Sequence, residues 1–228
     1  PISRVLVIQL GDIGDVVSAT PAFRAVRERF PEALLAVLVR EGFGGLLEDD
    51  PLFDRIFEIR RKQGMLADRV LEPLRLIGEL RRQRFDLVID LRGDDRGVYM
   101  SLASGAPVRA AMRYGHMPWR DAFYTHLVIP PPPEARTRGA AYQSLDVIRP
   151  LGIDTPDTLP RLHVSDEALR RVRQLLPNGG RRGQVTINPF ARWKYKEWDY
   201  GKWAEVVRWL EGEKGYRPVL VGSLAERE

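Results

Sequence analysis

Residues 4–22 read RVLVIQLGDIGDVVSATPA, and the succession of residue types in them decides the fold. Val5, Leu6, Val7, Ile8 and Leu10 form an apolar run rich in β-branched residues, long enough for one buried strand. The turn that follows carries glycines at 11 and 14 and carboxylates at 12 and 15. A helical pattern then continues through Val16, Val17, Ala19, Ala22, Val26 and Phe30. Strand, glycine turn and helix open a doubly wound α/β domain, where ligands collect outside the carboxyl ends of the strands. The turn is not the dinucleotide fingerprint, because it lacks the third glycine and places acids where a pyrophosphate needs bare N–H groups. Asp15 falls at a helix N-terminus, where the macrodipole favours an ionised carboxylate. Spacing alone fits a helix cap and a catalytic carboxylate equally well.

Further along, the same grammar repeats. Ala33 to Val39 reads as a second buried strand, opening into the glycine-rich loop Arg40 to Gly45. Arg55 to Ile59 is a short strand, and Arg60 to Gly64 a basic loop. Leu66, Val70, Leu74, Ile77 and Leu80 recur at helical steps over 66–84, with a kink or break expected at Pro73. Leu87 to Leu91 is another buried strand, with Asp90, Arg92, Gly93 and Asp94 at its carboxyl end as a second wall of the same cleft. Strand character returns at Arg109 to Arg113 and beside His126. Pro130 to Pro133 forms a stiff extended connector, and Ala140 to Leu151 a helix. The stretch 154–160, with two prolines and no hydrophobic period, marks a boundary. Residues 1–154 are thus expected to form one Rossmann-like domain, 155–183 a linker with a helix capped by Ser165, and 184–228 the start of another α/β unit.

Composition narrows the function classes. The 228 residues are 44% hydrophobic and 29% charged, which describes a globular chain, and no window resembles a membrane span or a signal peptide. Without cysteine there are no disulfides or thiolate metal sites, and the three histidines match no metal-ligand spacing. The net charge of +5 comes from arginine clusters, with no zinc finger, helix-turn-helix or aromatic RNA-binding pattern beside them, so no nucleic-acid partner is expected.

A second group of charges lies in the last unit. Between strand-like Val185 to Ile187 and an amphipathic helix from Asp199 to Leu210 stands NPFARWKYKEW, residues 188–198. Arg192, Lys194 and Lys196 beside a helix N-terminus suit a pyrophosphate, and they equally suit a surface loop stapled by Trp198.

The segment from Leu10 to Pro31 resembles the start of the lipopolysaccharide heptosyltransferases, glycosyltransferase family 9. Lys196 and Trp198 resemble that family's donor-binding loop, and the Asp90 to Gly93 turn also resembles the family's. The resemblance implies a GT-B fold: two Rossmann-like domains, acceptor on the first and nucleotide-sugar on the second. It implies an inverting transfer of a heptose from ADP-heptose to a lipopolysaccharide inner-core acceptor, with no metal or other cofactor. Asp15 takes the general base's place. Lys196, Arg192, Trp198, Gly222 and Glu226 take donor-binding places, Glu226 at the ribose. Gly14, Asp12, Arg92, Arg60, Arg61 and Lys62 are the acceptor-side candidates, the basic ones suited to an anionic, lipid-linked saccharide. A cytoplasmic protein with peripheral contact at the inner membrane is implied. Two features depart from the family pattern: Arg138 stands near the place of a frequent histidine, and the D-T-G-x-x-H donor motif is not reached by Glu228. With two strands where a doubly wound domain has about five, the second domain reads as truncated. A non-catalytic nucleotide- or anion-binding α/β module and a family member using another sugar donor are the alternatives; a dehydrogenase fits less well.

Overall fold

Alternation along the first strand explains how the sheet is covered on both sides. In β1 (Arg4–Ile8), Val5 and Val7 point to one face and Leu6 and Ile8 to the other, and all four are buried. A computed structural model of the chain describes residues 2–60, 66–113, 118–132, 139–176, 182–191, 193–223 and 226. It divides into two compact units, residues 1–165 and 166–228.

The first unit is built on a six-stranded sheet. β2 (Leu34–Arg40), β3 (Arg55–Ile59), β4 (Leu87–Asp90), β5 (Val108–Met112) and β6 (His126–Val128) join β1 in the order β3-β2-β1-β4-β5-β6. Every pairing is parallel. The chain steps outward from β1 through β2 to β3, then returns to pair β4 on the other side of β1. Between β1 and β4 the winding direction reverses, which opens a crevice at the carboxyl ends of these two strands.

The helices α1 (Ile13–Ser18), α2 (Thr20–Arg29) and α6 (Ala140–Ile148) share a core with the Val5 and Val7 face through Val16, Phe23, Val26, Leu145 and Ile148. On the Leu6 and Ile8 face lie α3 (Leu66–Gln83), through Leu76 and Leu80, and α4 (Asp95–Ala103), through Met100. A short helix, α5 (Pro118–Asp121), precedes β6.

Three expectations need correction. The first helix is not continuous: it divides at Ala19, and Pro21 stands in the first turn of α2, where its missing N–H would be unbonded anyway. Pro73 does not break α3, which runs from Leu66 to Gln83 with one backbone donor fewer. The helix expected to reach Leu151 ends at Ile148, and a 3₁₀ turn over Arg149–Leu151 leads to Gly152, whose φ of 75° is left-handed.

The first unit also extends past the expected boundary at 154, because the following residues are bonded to α2. Arg24 donates to the Leu159 carbonyl at 2.6 Å, the Arg161 N–H donates to Thr20 Oγ1 at 2.9 Å, and Thr155 is buried.

The second unit contains α7 (Asp166–Leu175), β7 (Gln184–Ile187), α8 (Tyr200–Gly212) and β8 (Arg217–Leu220), with β7 and β8 parallel. Asp199 caps α8 by accepting from the Lys202 N–H at 3.0 Å.

Candidate active site

The crevice between β1 and β4 is filled by a tied set of charges. Gly11 permits this, because a Cβ there would collide with the Asp15 side chain, which folds back over the turn. Asp15 Oδ2 accepts from the Asp12 N–H at 2.8 Å, so the helix-capping role is real. The same oxygen accepts from Arg92 Nη1 at 2.7 Å, across the crevice from the β4 side. Both candidate roles for Asp15 are therefore compatible: one oxygen is held, and Oδ1 makes no hydrogen bond among the described residues. Asp12 in turn accepts from Arg40 Nη1 at 2.7 Å. Gly14 is exposed, and a side chain there would meet open space.

The β4 side is shaped by a buried acid. Asp90 Oδ1 accepts the N–H groups of Arg92 at 3.0 Å and Gly93 at 2.8 Å, and Oδ2 accepts from Tyr124 Oη at 2.6 Å. Burial pushes the Asp90 carboxyl up to about 6, against the hydrogen bonds that favour its ion. Burial, reinforced by the Asp90 charge, drives the Tyr124 hydroxyl pKa upward as well. Gly97 leaves the room this needs, since a Cβ on it would strike the Asp90 carboxylate.

Asp15 and Arg92 line a cavity of about 610 Å³ lying wholly within the first unit. Arg113, Arg120, Tyr142 and Asp146 form other parts of its wall, and Pro130 and Pro131 of the extended connector close one side. Arg120 is fixed by Asp95 at 2.6 Å and by the Gly93 carbonyl at 3.1 Å, so it braces the same turn that carries Arg92. Arg60 does not line the cavity; it forms exposed ion pairs with Glu72 at 3.3 Å and Glu41 at 3.9 Å. Arg61 and Lys62 lie outside the described residues. Arg113, Arg120, Gly97 and Tyr124 carried no sequence signal as site residues. Their place becomes visible only once β5 and β6 are laid beside β4.

In the second unit, two of the other candidates, Gly222 and Glu226, meet just after β8. Gly222 approaches Phe190 so closely that a Cβ would meet the ring at 2.7 Å. Glu226 accepts from the Ser223 N–H at 2.6 Å, which closes the turn after β8. The loop after β7 is organised by Glu197, missed in the sequence: it accepts from Tyr200 Oη at 2.9 Å, Lys194 Nζ at 3.1 Å and the Ala191 N–H at 3.3 Å. Tyr200 and then Lys194 hold the Glu197 carboxyl below its usual range, and Glu197 raises the Lys194 ammonium pKa. Lys194 is thus neutralised within the loop. Lys196 makes no ion pair among the described residues; its ammonium lies 5.8 Å from the Tyr195 ring. Trp198 is half exposed and meets Trp203 edge-on at 5.2 Å. Arg192 lies outside the described residues.

Comparison with known proteins gives these sites a context. The model of glycosyltransferase family 9 (heptosyltransferase) matches residues 73–228. The chain is 26% identical over 214 residues to lipopolysaccharide heptosyltransferase 3 of Escherichia coli, covering 92% of this chain and 61% of that protein. It superposes with a TM-score of 0.78 at 20% identity on a family 9 glycosyl transferase from Veillonella parvula, over 99% of this chain and 64% of that one. With E. coli heptosyltransferase WaaC, solved with ADP-2-deoxy-2-fluoro heptose, the TM-score is 0.75 at 20% identity, over 98% and 70%. The chain spans about three-fifths of the length of the curated relatives it matches.

Proposed function

The chain belongs to glycosyltransferase family 9 (heptosyltransferase), and on that premise we propose that it serves an inverting heptose transfer from ADP-heptose to an inner-core acceptor of lipopolysaccharide. The fold is α/β of the GT-B type, and this reading puts the acceptor on the first unit and the nucleotide-sugar on the second. The observation that carries this reading is Asp15: a carboxylate on the wall of a cavity, at the topological switch point, with one oxygen bonded and the other open. As the acceptor hydroxyl oxygen attacks the anomeric carbon, Asp15 Oδ1 takes the hydroxyl proton. The bond from that carbon to the diphosphate breaks on the opposite side, and ADP departs with the electron pair.

Lys196, with Arg192 near it in sequence, balances the charge that gathers on the diphosphate. Trp198, Gly222 and Glu226 complete the donor-side assignment, with Glu226 accepting from ribose hydroxyls. Among the acceptor-side residues, Arg92 is the best supported, since it shares the cavity wall with Asp15. ADP-heptose is the only small co-substrate this scheme requires, and no metal or other cofactor takes part. We place the reaction on the cytoplasmic side, with contact to the inner-membrane surface through the lipid-linked acceptor.

The test is Asp15→Asn in the whole protein. Turnover should fall by ~10²–10⁴-fold while ADP affinity stays nearly constant. Near-normal single-turnover rates would remove the carboxylate from the mechanism.

A further inference from the structure

A buried acid, a buried phenol and a cramped glycine stand behind the Arg92 turn, and no part of the proposed chemistry uses them. Asp90 spends one oxygen on the consecutive N–H groups of Arg92 and Gly93 and the other on Tyr124 Oη. The Tyr124 hydroxyl comes from the segment before β6, so it joins the turn after β4 to a part of the chain more than thirty residues later. The Tyr124 ring packs with Val98 and Ala111, but joining its hydroxyl to the Asp90 carboxylate costs desolvation of both polar groups, which a phenylalanine would avoid. A helix would also be better served by alanine than by glycine at position 97, yet the Asp90 carboxylate occupies the space of that methyl.

We infer that Asp90 and Tyr124 are positioning residues for the transfer reaction, fixing the Arg92 turn so that the guanidinium meets Asp15. The inference rests on the reading of Asp15 as the base. Its physical content is a chain of three contacts: Tyr124 Oη to Asp90 at 2.6 Å, Asp90 to the Arg92 N–H at 3.0 Å, and Arg92 Nη1 to Asp15 Oδ2 at 2.7 Å. Neither Asp90 nor Tyr124 lines the cavity, so on this reading both act through the Arg92 turn. With Tyr124→Phe, Asp90 Oδ2 loses its donor in a place that water does not reach. The carboxyl must turn or take a proton, and the Arg92 turn shifts with it. Displacement of a reacting group by about 1 Å costs on the order of a hundredfold in rate.

The experiment is a double-mutant cycle on the whole protein with Tyr124→Phe and Arg92→Ala, reading kcat and both KM values, beside crystal structures of each variant. Tyr124→Phe should lower kcat by roughly ten- to a hundredfold with donor KM unchanged, and should move the Arg92 guanidinium away from Asp15. In the Arg92→Ala background the same substitution should have almost no further effect on kcat, because its route to Asp15 is gone. Asp90→Asn offers a carbonyl oxygen to both N–H groups and an amide to Tyr124, so it should keep kcat within about threefold of the parent, whereas Asp90→Ala should not. Equal losses from Tyr124→Phe with and without Arg92 would overturn the inference and leave Asp15 as the base. So would an Arg92–Asp15 contact unchanged in the Tyr124→Phe crystal structure. A parent protein that binds ADP-heptose but transfers nothing would instead break the functional reading, and the crystal structures would then decide the positioning claim by themselves.

Discussion

The two carboxyl edges treat their charges in opposite ways. At the crevice of the first unit nearly every charge is answered: Arg92 by Asp15, Arg40 by Asp12, Arg120 by Asp95. In the second unit the loop after β7 neutralises Lys194 with Glu197, while Lys196 makes no ion pair among the described residues and faces the Tyr195 ring. A group that must move one proton at a fixed place gains from being held, since geometry dominates its rate. A cation that must meet a diphosphate gains from having no internal carboxylate to leave first. On the proposed reading, the contrast sets a geometry held for proton transfer in the first unit against a cation left open to a diphosphate in the second.

Gly11→Ala is the strongest way to break this contrast. The added methyl displaces the Asp15 side chain, and turnover should fall by about a hundredfold with ADP affinity unchanged. Single-turnover kinetics beside calorimetric ADP titration would check both halves. A loss of ADP affinity would mean that the two edges are not separable in function.

Next in size is the lysine pair. Lys196→Ala should weaken ADP binding by roughly ten- to more than a hundredfold, the value of a hydrogen bond to a charged group. Lys194→Ala, whose ammonium is already engaged, should cost less than about threefold. Equal losses from the two would show that the loop acts only as a diffuse positive surface.

The acid behind the Arg92 turn gives a pH signature. Its carboxyl titrates at about 6 in the fold and near 3.8 when unfolded, so between those values the native state binds more protons. The stability Asp90 contributes is therefore full below about pH 3.8 and is lost as pH rises through 6. Compared with Asp90→Asn, the parent protein should lose roughly 1–3 kcal/mol of relative stability between pH 4 and 7. Parallel Tm curves for the two proteins across that range would show that Asp90 stays ionised throughout.

Arg60→Ala should do least. Its ion pairs are exposed, so unfolding stability should change by less than ~0.5 kcal/mol, and acceptor KM should stay within about twofold. A tenfold rise in acceptor KM would show that Arg60 contacts the acceptor and that the acceptor site extends beyond the cavity.

Much of the first unit was legible because local signals were strong there. The apolar runs at Val5 and Leu87 are too hydrophobic for anything but central strands, and the glycine–acid turns after them mark their carboxyl ends. That both turns belong to one crevice followed from the doubly wound pattern, and the Arg92–Asp15 contact realises it. Helix breaks were less legible: Pro21 begins a helix while Pro73 sits within one, and only surrounding contacts decide which a proline does. Tyr124 was illegible, because nothing in its neighbourhood announces a partner thirty-four residues earlier. The end of the first unit was misplaced for a similar reason. A proline-rich stretch reads as a linker until Arg24 and Thr20 are seen to hold it.

The strand order also governs how the chain comes off the ribosome. Val5 pairs with Leu35, 30 residues on, and with Leu87, 82 residues on, so β1 meets its two neighbours at very different times. Once Ile59 has emerged, β3, β2 and β1 can assemble with β1 as a temporary edge, apolar on both faces. The remaining 31 residues to Asp90 take roughly two to six seconds to synthesise. For that interval the central strand of the finished sheet is an open hydrophobic template, the kind of surface that pairs with other chains. Nascent chains arrested just after β3 should therefore be captured by chaperones, and release should follow once β4 clears the exit tunnel; capture that persists beyond β4 would assign the exposed edge to another strand.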